Sequence, residues 1–175
     1  TAAGAQLFSM RFAPGTGAIC LIDRITVSVN LIAAFVTTGQ PVGLGARVIR
    51  TATANASGGT QVTVTGNSQK YRTSMATSGF TAGVSDIRIA TTGALTSASG
   101  GTSDTNLLNS VVGAGTTAIS NVIPPNSVLL DSTGGRSPLI LTNTDVLVIE
   151  NLILLANTGT YQAYINVEWS EAASY

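Results

Sequence analysis

The sequence predicts an all-β protein, a jelly-roll-like antiparallel sandwich or else a related sandwich or barrel. Three observations lead there. Apolar and polar side chains alternate with a period of two in at least five segments, as a strand with one buried face requires. Clusters of Gly, Pro, Asn and Ser separate roughly eight to ten candidate strands. Almost no stretch carries the helical period, and no fixed-length repeat marks a solenoid or propeller.

In chain order, Thr1, Ala2, Ala3, Gly4, Ala5 and Gln6 are small or polar and read as a flexible arm ahead of a single domain spanning 7–175. Leu7 to Ala13 sets Phe8, Met10 and Phe12 against Leu7, Ser9 and Arg11, a strand that Pro14-Gly15 ends. Ala18 to Val36 alternates Ile25, Val27, Val29 and Leu31 with partners that turn from polar to apolar after Leu31. Cover is therefore expected over the second half of its outer face. Val42, Leu44, Ala46 and Val48 alternate with Gly43, Gly45, Arg47 and Ile49. That Gly-x-Gly lacks the third glycine and following helix of a nucleotide loop, so it reads as a strand in which Gly permits a bulge or a close backbone contact.

Thr, Ser, Asn and Gly dominate residues 51 to 83, with a short strand at Gln61 to Thr65. Within this tract Lys70, Tyr71 and Arg72 read either as a loop that grips a partner or as a polar connection whose Tyr71 and Met75 tuck into the core. Ser85 to Thr92 is a further strand, 96–105 a polar loop, and Leu107 to Val112 the one place that suits a helical turn. Ile119 to Ile123 reads as a strand ended by Pro124-Pro125, Val128 to Leu130 as another, and Pro138 to Leu141 leads into the last group. From Asp145 to Trp169 the sequence suggests two strands folded back on each other through Asn157-Thr158-Gly159. Glu150 and Asn151 mark a bulge or bend in the first. In the second, Tyr161, Ala163, Ile165, Val167 and Trp169 share one face.

At 175 residues the chain suffices for one domain that buries roughly 70% of its unfolded surface. Charged residues make up only 9%, where an ordinary soluble domain carries about 25%. Eight basic and eight acidic residues cancel. A surface so poor in charge favours a protein that lives in an assembly, and a homotrimer is expected. Lys70 is the single lysine and the arginines are scattered, which argues against direct nucleic-acid binding through a basic stripe. No apolar run reaches the roughly eighteen residues of a membrane helix, so no membrane contact is expected. No signal peptide pattern is visible, and an opening at Thr1 suggests processing or trimming.

The chain has no histidine, which removes the commonest general base, the usual activator of a serine or cysteine nucleophile and the commonest transition-metal ligand. Cys20, in an apolar strand, reads as a small hydrophobe. Glu168 and Glu171 flank Trp169 and Ser170 in the manner of a sugar-binding ledge, but so near the end of the last strand they read as a solvated terminus. Asp104, Asp131 and Asp145 follow no calcium-loop spacing. Asn55-Ala56-Ser57 matches a glycosylation acceptor that is expected by chance in a chain so rich in Asn and Ser. No catalytic residue, metal or cofactor is expected.

Four segments together resemble a family of small structural proteins of tailed bacteriophages and prophages: Gln6 to Phe12, Thr65 to Met75, Asp86 to Thr96, and Tyr164 to Trp169. The chain departs from the family pattern between 97 and 137. The resemblance implies a virion component made in the host cytoplasm, similar to capsid decoration or cement proteins. Such proteins bind the major capsid protein on the exterior of the head, often as trimers. Beside this resemblance, the small, flexible composition of Thr1 to Gln6 suits an arm that orders against the capsid, and Lys70, Tyr71 and Arg72 suit a partner-contact loop. The alternative is a tail- or fibre-associated attachment module that binds carbohydrate.

Overall fold

Strands that alternate in polarity have one face to bury, and here two sheets bury those faces against each other. The computed structural model describes residues 3–15, 17–33, 40–64, 70–72, 74–81, 85–104, 109–116, 121–155 and 159–173. Eleven strands are found in them: β1 (Ala5–Phe12), β2 (Ile19–Ala33), β3 (Gln40–Arg50), β4 (Thr60–Gln61), β5 (Asp86–Ile89), β6 (Thr102–Ser103), β7 (Asn109–Thr116), β8 (Asn121–Asp131), β9 (Leu139–Leu141), β10 (Asp145–Asn151) and β11 (Thr160–Ala172). Among the described residues the only helical element is a single 3-10 turn, Gly79–Thr81.

The larger sheet, A, runs β4-β5-β1-β10-β3-β6, with β7 also paired to β3; the smaller, B, runs β11-β2-β8, with β9 paired to β2. All pairings are antiparallel. The long strands change sheet repeatedly: β1 to β2, β2 to β3, β7 to β8, and β10 to β11. The result is an all-β antiparallel sandwich. Along one side β7 leans on β8 so closely that a Cβ on Gly113 would collide with the Val122 carbonyl.

Met10, Phe12, Leu44, Val48, Leu147 and Ile149 of sheet A meet Ile25, Val27, Val29, Leu31, Ile123 and Leu129 of sheet B in one core. Each such side chain contributes about 1.5–3 kcal/mol by leaving water. A second, smaller cluster lies on the outer face of sheet A, where Ile49, Val146 and Val148 pack with Ala52 and Ala98. The polar tracts around 51–59 and 94–104 therefore form a lid over sheet A. Their glycines permit the close approach: a Cβ on Gly101 would overlap the Arg50 carbonyl, and one on Gly59 the Ile89 carbonyl.

Several expectations are corrected. The Asp145–Trp169 hairpin does not form, since β10 lies between β1 and β3 in sheet A while β11 pairs with β2 in sheet B. All of β10 is buried, so it needs cover on both faces, whereas alternating β11 needs it on one. The expected arm is shorter: Ala5 and Gln6 belong to β1, opposite Asn151 and Glu150, and the Gly4 amide donates to the Asn151 carbonyl at 2.7 Å. Thr1 and Ala2 lie outside the described residues. Within the expected helical turn, Asn109 to Val112 belong to β7, because pairing with β3 satisfies their backbone; residues 107–108 lie outside the described residues.

Pro124-Pro125 do not end a strand. A bulge at Pro124 to Asn126, with Asn126 at φ 61°, lets β8 resume its pairing at Ser127. Of the strand expected at Gln61 to Thr65, only Gln61 is strand among the described residues, paired with Thr60 in β4, and Thr65 lies outside them. Ile32 is 50% exposed, so the chain itself does not cover the end of β2. Gly43 behaves as expected, with Ile153 packed against it in the middle of a strand.

Candidate functional site

The candidate site is a cleft of about 470 Å3 between the 70–78 segment and the C-terminal half of β11. Its construction follows from the end of that strand. Trp169 points inward, and Phe80 sits between it and Phe12, with ring centroids 5.7 and 5.3 Å away. Glu171, two residues on and so on the same side of the strand as Trp169, gathers the turn that carries Phe80: it accepts from the Ser78 hydroxyl, from the Gly79 amide at 2.6 Å and from Trp169 Nε1 at 3.1 Å. The carboxylate near the strand end is thus a fastener rather than a freely solvated group.

The other wall is the Lys70–Met75 stretch. Lys70 Nζ donates to the Met75 carbonyl at 3.0 Å, which folds the loop over itself. Neither Tyr71 nor Met75 tucks into the core; they are 79% and 43% exposed. A core already filled by Phe12, Phe80 and Trp169 at this end leaves them on the cleft. The Tyr71 hydroxyl bonds to Glu168, and the phenol is held above its ordinary pKa by partial desolvation and then by the Glu168 charge and hydrogen bond, with Asp23 adding and Arg24 opposing. Arg72 is exposed next to it.

Charge at this site is unevenly matched. Asp86, Asp104, Asp131, Asp145 and Glu150 each have an arginine nitrogen at 2.6 to 3.9 Å. The three remaining carboxylates, Asp23, Glu168 and Glu171, have no ion-pair partner among the described residues, and all three lie at this end of sheet B. Asp23 accepts from Ser170 at 3.2 Å and Glu168 from Asn166 at 3.1 Å. Cys20 is buried nearby, where desolvation and then Glu171 and Asp23 push its thiol well above the ordinary range, which disfavours the nucleophilic thiolate. Among the described residues no group of three or more acidic or sulfur ligands is placed to hold a metal.

The sequence-expected sites separate. Lys70, Tyr71 and Met75 line the cleft with Glu168, Trp169 and Glu171, while Gly4 and Gln6 line a hollow of about 320 Å3 on the far sheet, beside Arg47 and Glu150. The side-chain oxygen of half-buried Asn55 accepts from Arg11 at 2.9 Å, which ties this residue of the glycosylation match to sheet A. Asp23, Ser78 and Gly79 carry no local signal, since tertiary pairing alone brings Ser78 into the cleft wall and sets Asp23 and Gly79 against its wall residues Ser170 and Glu171. No family model, curated protein or solved structure matches the chain.

Proposed function

We propose that this chain is a non-enzymatic structural protein of a tailed-bacteriophage particle, a decoration protein that binds the major capsid protein on the outside of the head as a homotrimer. The observation that carries the reading is where the four resembling segments sit. Gln6–Phe12 and Asp86–Ile89 are hydrogen-bonded neighbours in sheet A, and Leu95 donates to the Gln6 carbonyl at 2.8 Å. Lys70–Met75 and Tyr164–Trp169 supply walls of the same cleft. Segments scattered along the chain thus meet as two pairs, which suits a likeness of fold and contact surface more than one of composition. Low charge and a polar, hydroxyl-rich surface suit contacts that hydrogen-bond across an interface without burying charge.

Each contact to the shell can be weak, since a trimer that engages several shell subunits gains from effective concentration. Particles that lack the protein are expected to assemble and then rupture more readily on heating or at low salt, where packaged DNA repels itself most strongly. The test is cryo-electron microscopy of the particle combined with a heat challenge of the deletion. Density on the head and reduced heat tolerance support the proposal; density on the tail with unchanged tolerance overturns it. A second reading, a carbohydrate-binding attachment module, is favoured by exposed Tyr71 beside Trp169, and binding to an isolated glycan in an array would favour it.

A further inference from the structure

We infer that the cleft on β11 is completed by a second copy of this chain, whose Arg136 enters it head to tail. The inference rests on the self-association in the proposed function and is independent of where on a particle the protein sits.

Charge leads to this occupant. All sixteen charged side chains are described, and Asp23, Glu168 and Glu171 remain without ion-pair partners at the cleft. Among the described residues Lys70 and Arg72, which belong to the cleft's own wall segment, make no ion pair, and neither does exposed Arg136, whose charge reaches Asp131 only beyond ion-pair distance. Asp131, the carboxylate closest to it in sequence, is occupied by the Thr133 amide at 2.8 Å and hydroxyl, and lies 3.9 Å from Arg24. The cleft also offers what a guanidinium with an apolar stem requires, two aromatic rings, Tyr71 and Trp169, beside Met75 and Val167.

Register supplies the geometry. Arg24 of β2 lies opposite Glu168 on one side and Asp131 on the other, and Ile22 lies between Trp169 and Leu139 in the same way. The Ser132–Pro138 turn that carries Arg136 joins Asp131 to Leu139. It therefore stands at one lateral edge of sheet B, level with the cleft at the opposite edge. A neighbour set beside sheet B in the same orientation brings its turn to the cleft at the right height. Such a heterologous contact repeats around an axis and closes into a ring when the rotation permits. Gly134 and Gly135, exposed and with no neighbour that would meet an added Cβ, let the turn protrude.

The test is sedimentation of the isolated full chain across micromolar concentrations. The wild type is expected to self-associate, less so as salt is raised. Arg136→Glu and Glu168→Arg are each expected to weaken association about a hundredfold, and the double charge swap to restore it. Circular dichroism and thermal melting of each variant establish that it folds. A wild type that stays monomeric, a folded Arg136→Glu variant that associates normally, or a double swap that fails to restore association overturns the inference. Saccharide binding at the cleft of a monomer does so too. None of these outcomes bears on the head location, which the particle experiment tests separately.

Discussion

The outer faces of the two sheets are treated in opposite ways. On sheet A the outward side chains of the central strands include charged groups that are almost wholly consumed inside the chain. Arg47 donates to Glu150 at 2.9 and 3.0 Å, and Arg11 to the Ala52 carbonyl at 2.7 Å. Asp145 accepts from Arg50 at 2.9 Å, from the Thr51 amide at 3.2 Å and from both the amide and hydroxyl of Thr142. A lid of glycine-tight loops covers them. On sheet B, Gln162, Tyr164 and Asn166 face solvent, Ile32 is bare, and the unmatched carboxylates gather at one end. The contrast teaches that a sheet face can be closed by the chain's own loops or left for another molecule, and that leftover charge distinguishes the two.

The comparison breaks most severely at Asp145. Asp145→Ala removes a buried acceptor of four hydrogen bonds and leaves Arg50 only its more distant pairing with Asp104 at 3.7 Å, and is expected to cost about 3 kcal/mol in urea unfolding. A cost below about 1 kcal/mol would mean that the sheet A clamp is slack. Gly113→Ala addresses the seam where the two sheets touch. Its methyl collides with the Val122 carbonyl, and a loss of about 1–3 kcal/mol is expected, because backbone on both sides must move.

At the open end of sheet B the expected stability effect is small and the chemical one specific. Glu168→Gln removes a charge but not a packing group, so stability should change by less than about 0.5 kcal/mol. Ultraviolet titration should show a tyrosine above the ordinary value near 10.0 that falls back toward it in the variant. The sign follows from the raised folded pKa. The protonated phenol is the favoured form in the fold, so its contribution is intact below the ordinary value and fades as pH rises through the folded one. An unchanged tyrosine titration would show that Glu168 does not govern this residue.

Much of the fold was legible in the sequence. The alternation of β11 and the continuous apolar run of β10 were both visible, and they already distinguish a strand with one buried face from one buried on both. Which strands they pair with was not legible, because a run followed by a turn and an alternating strand looks the same for a hairpin and for a crossing between sheets. The tracts around 51–59 and 94–104 advertised loops by composition. That they lie flat over sheet A depends on where Gly59 and Gly101 meet carbonyls far along the chain. Lys70, Tyr71 and Arg72 were singled out from the sequence. Their opposite wall, Glu168 to Glu171, reads in the sequence as a solvated end, since nothing in a local window links segments about a hundred residues apart.

Hydrogen exchange of the isolated chain, compared between dilute and concentrated solution, tests most directly whether sheet A is closed by the chain itself while the end of sheet B awaits a partner. The account predicts strong protection of β1 and β10 at both concentrations and unchanged exchange in the 51–59 and 94–104 loops. Protection at Asn166–Glu171 and Thr133–Arg136 should rise together as concentration rises. New protection confined to the sheet A loops, with the cleft and the Arg136 turn unaltered, would contradict it.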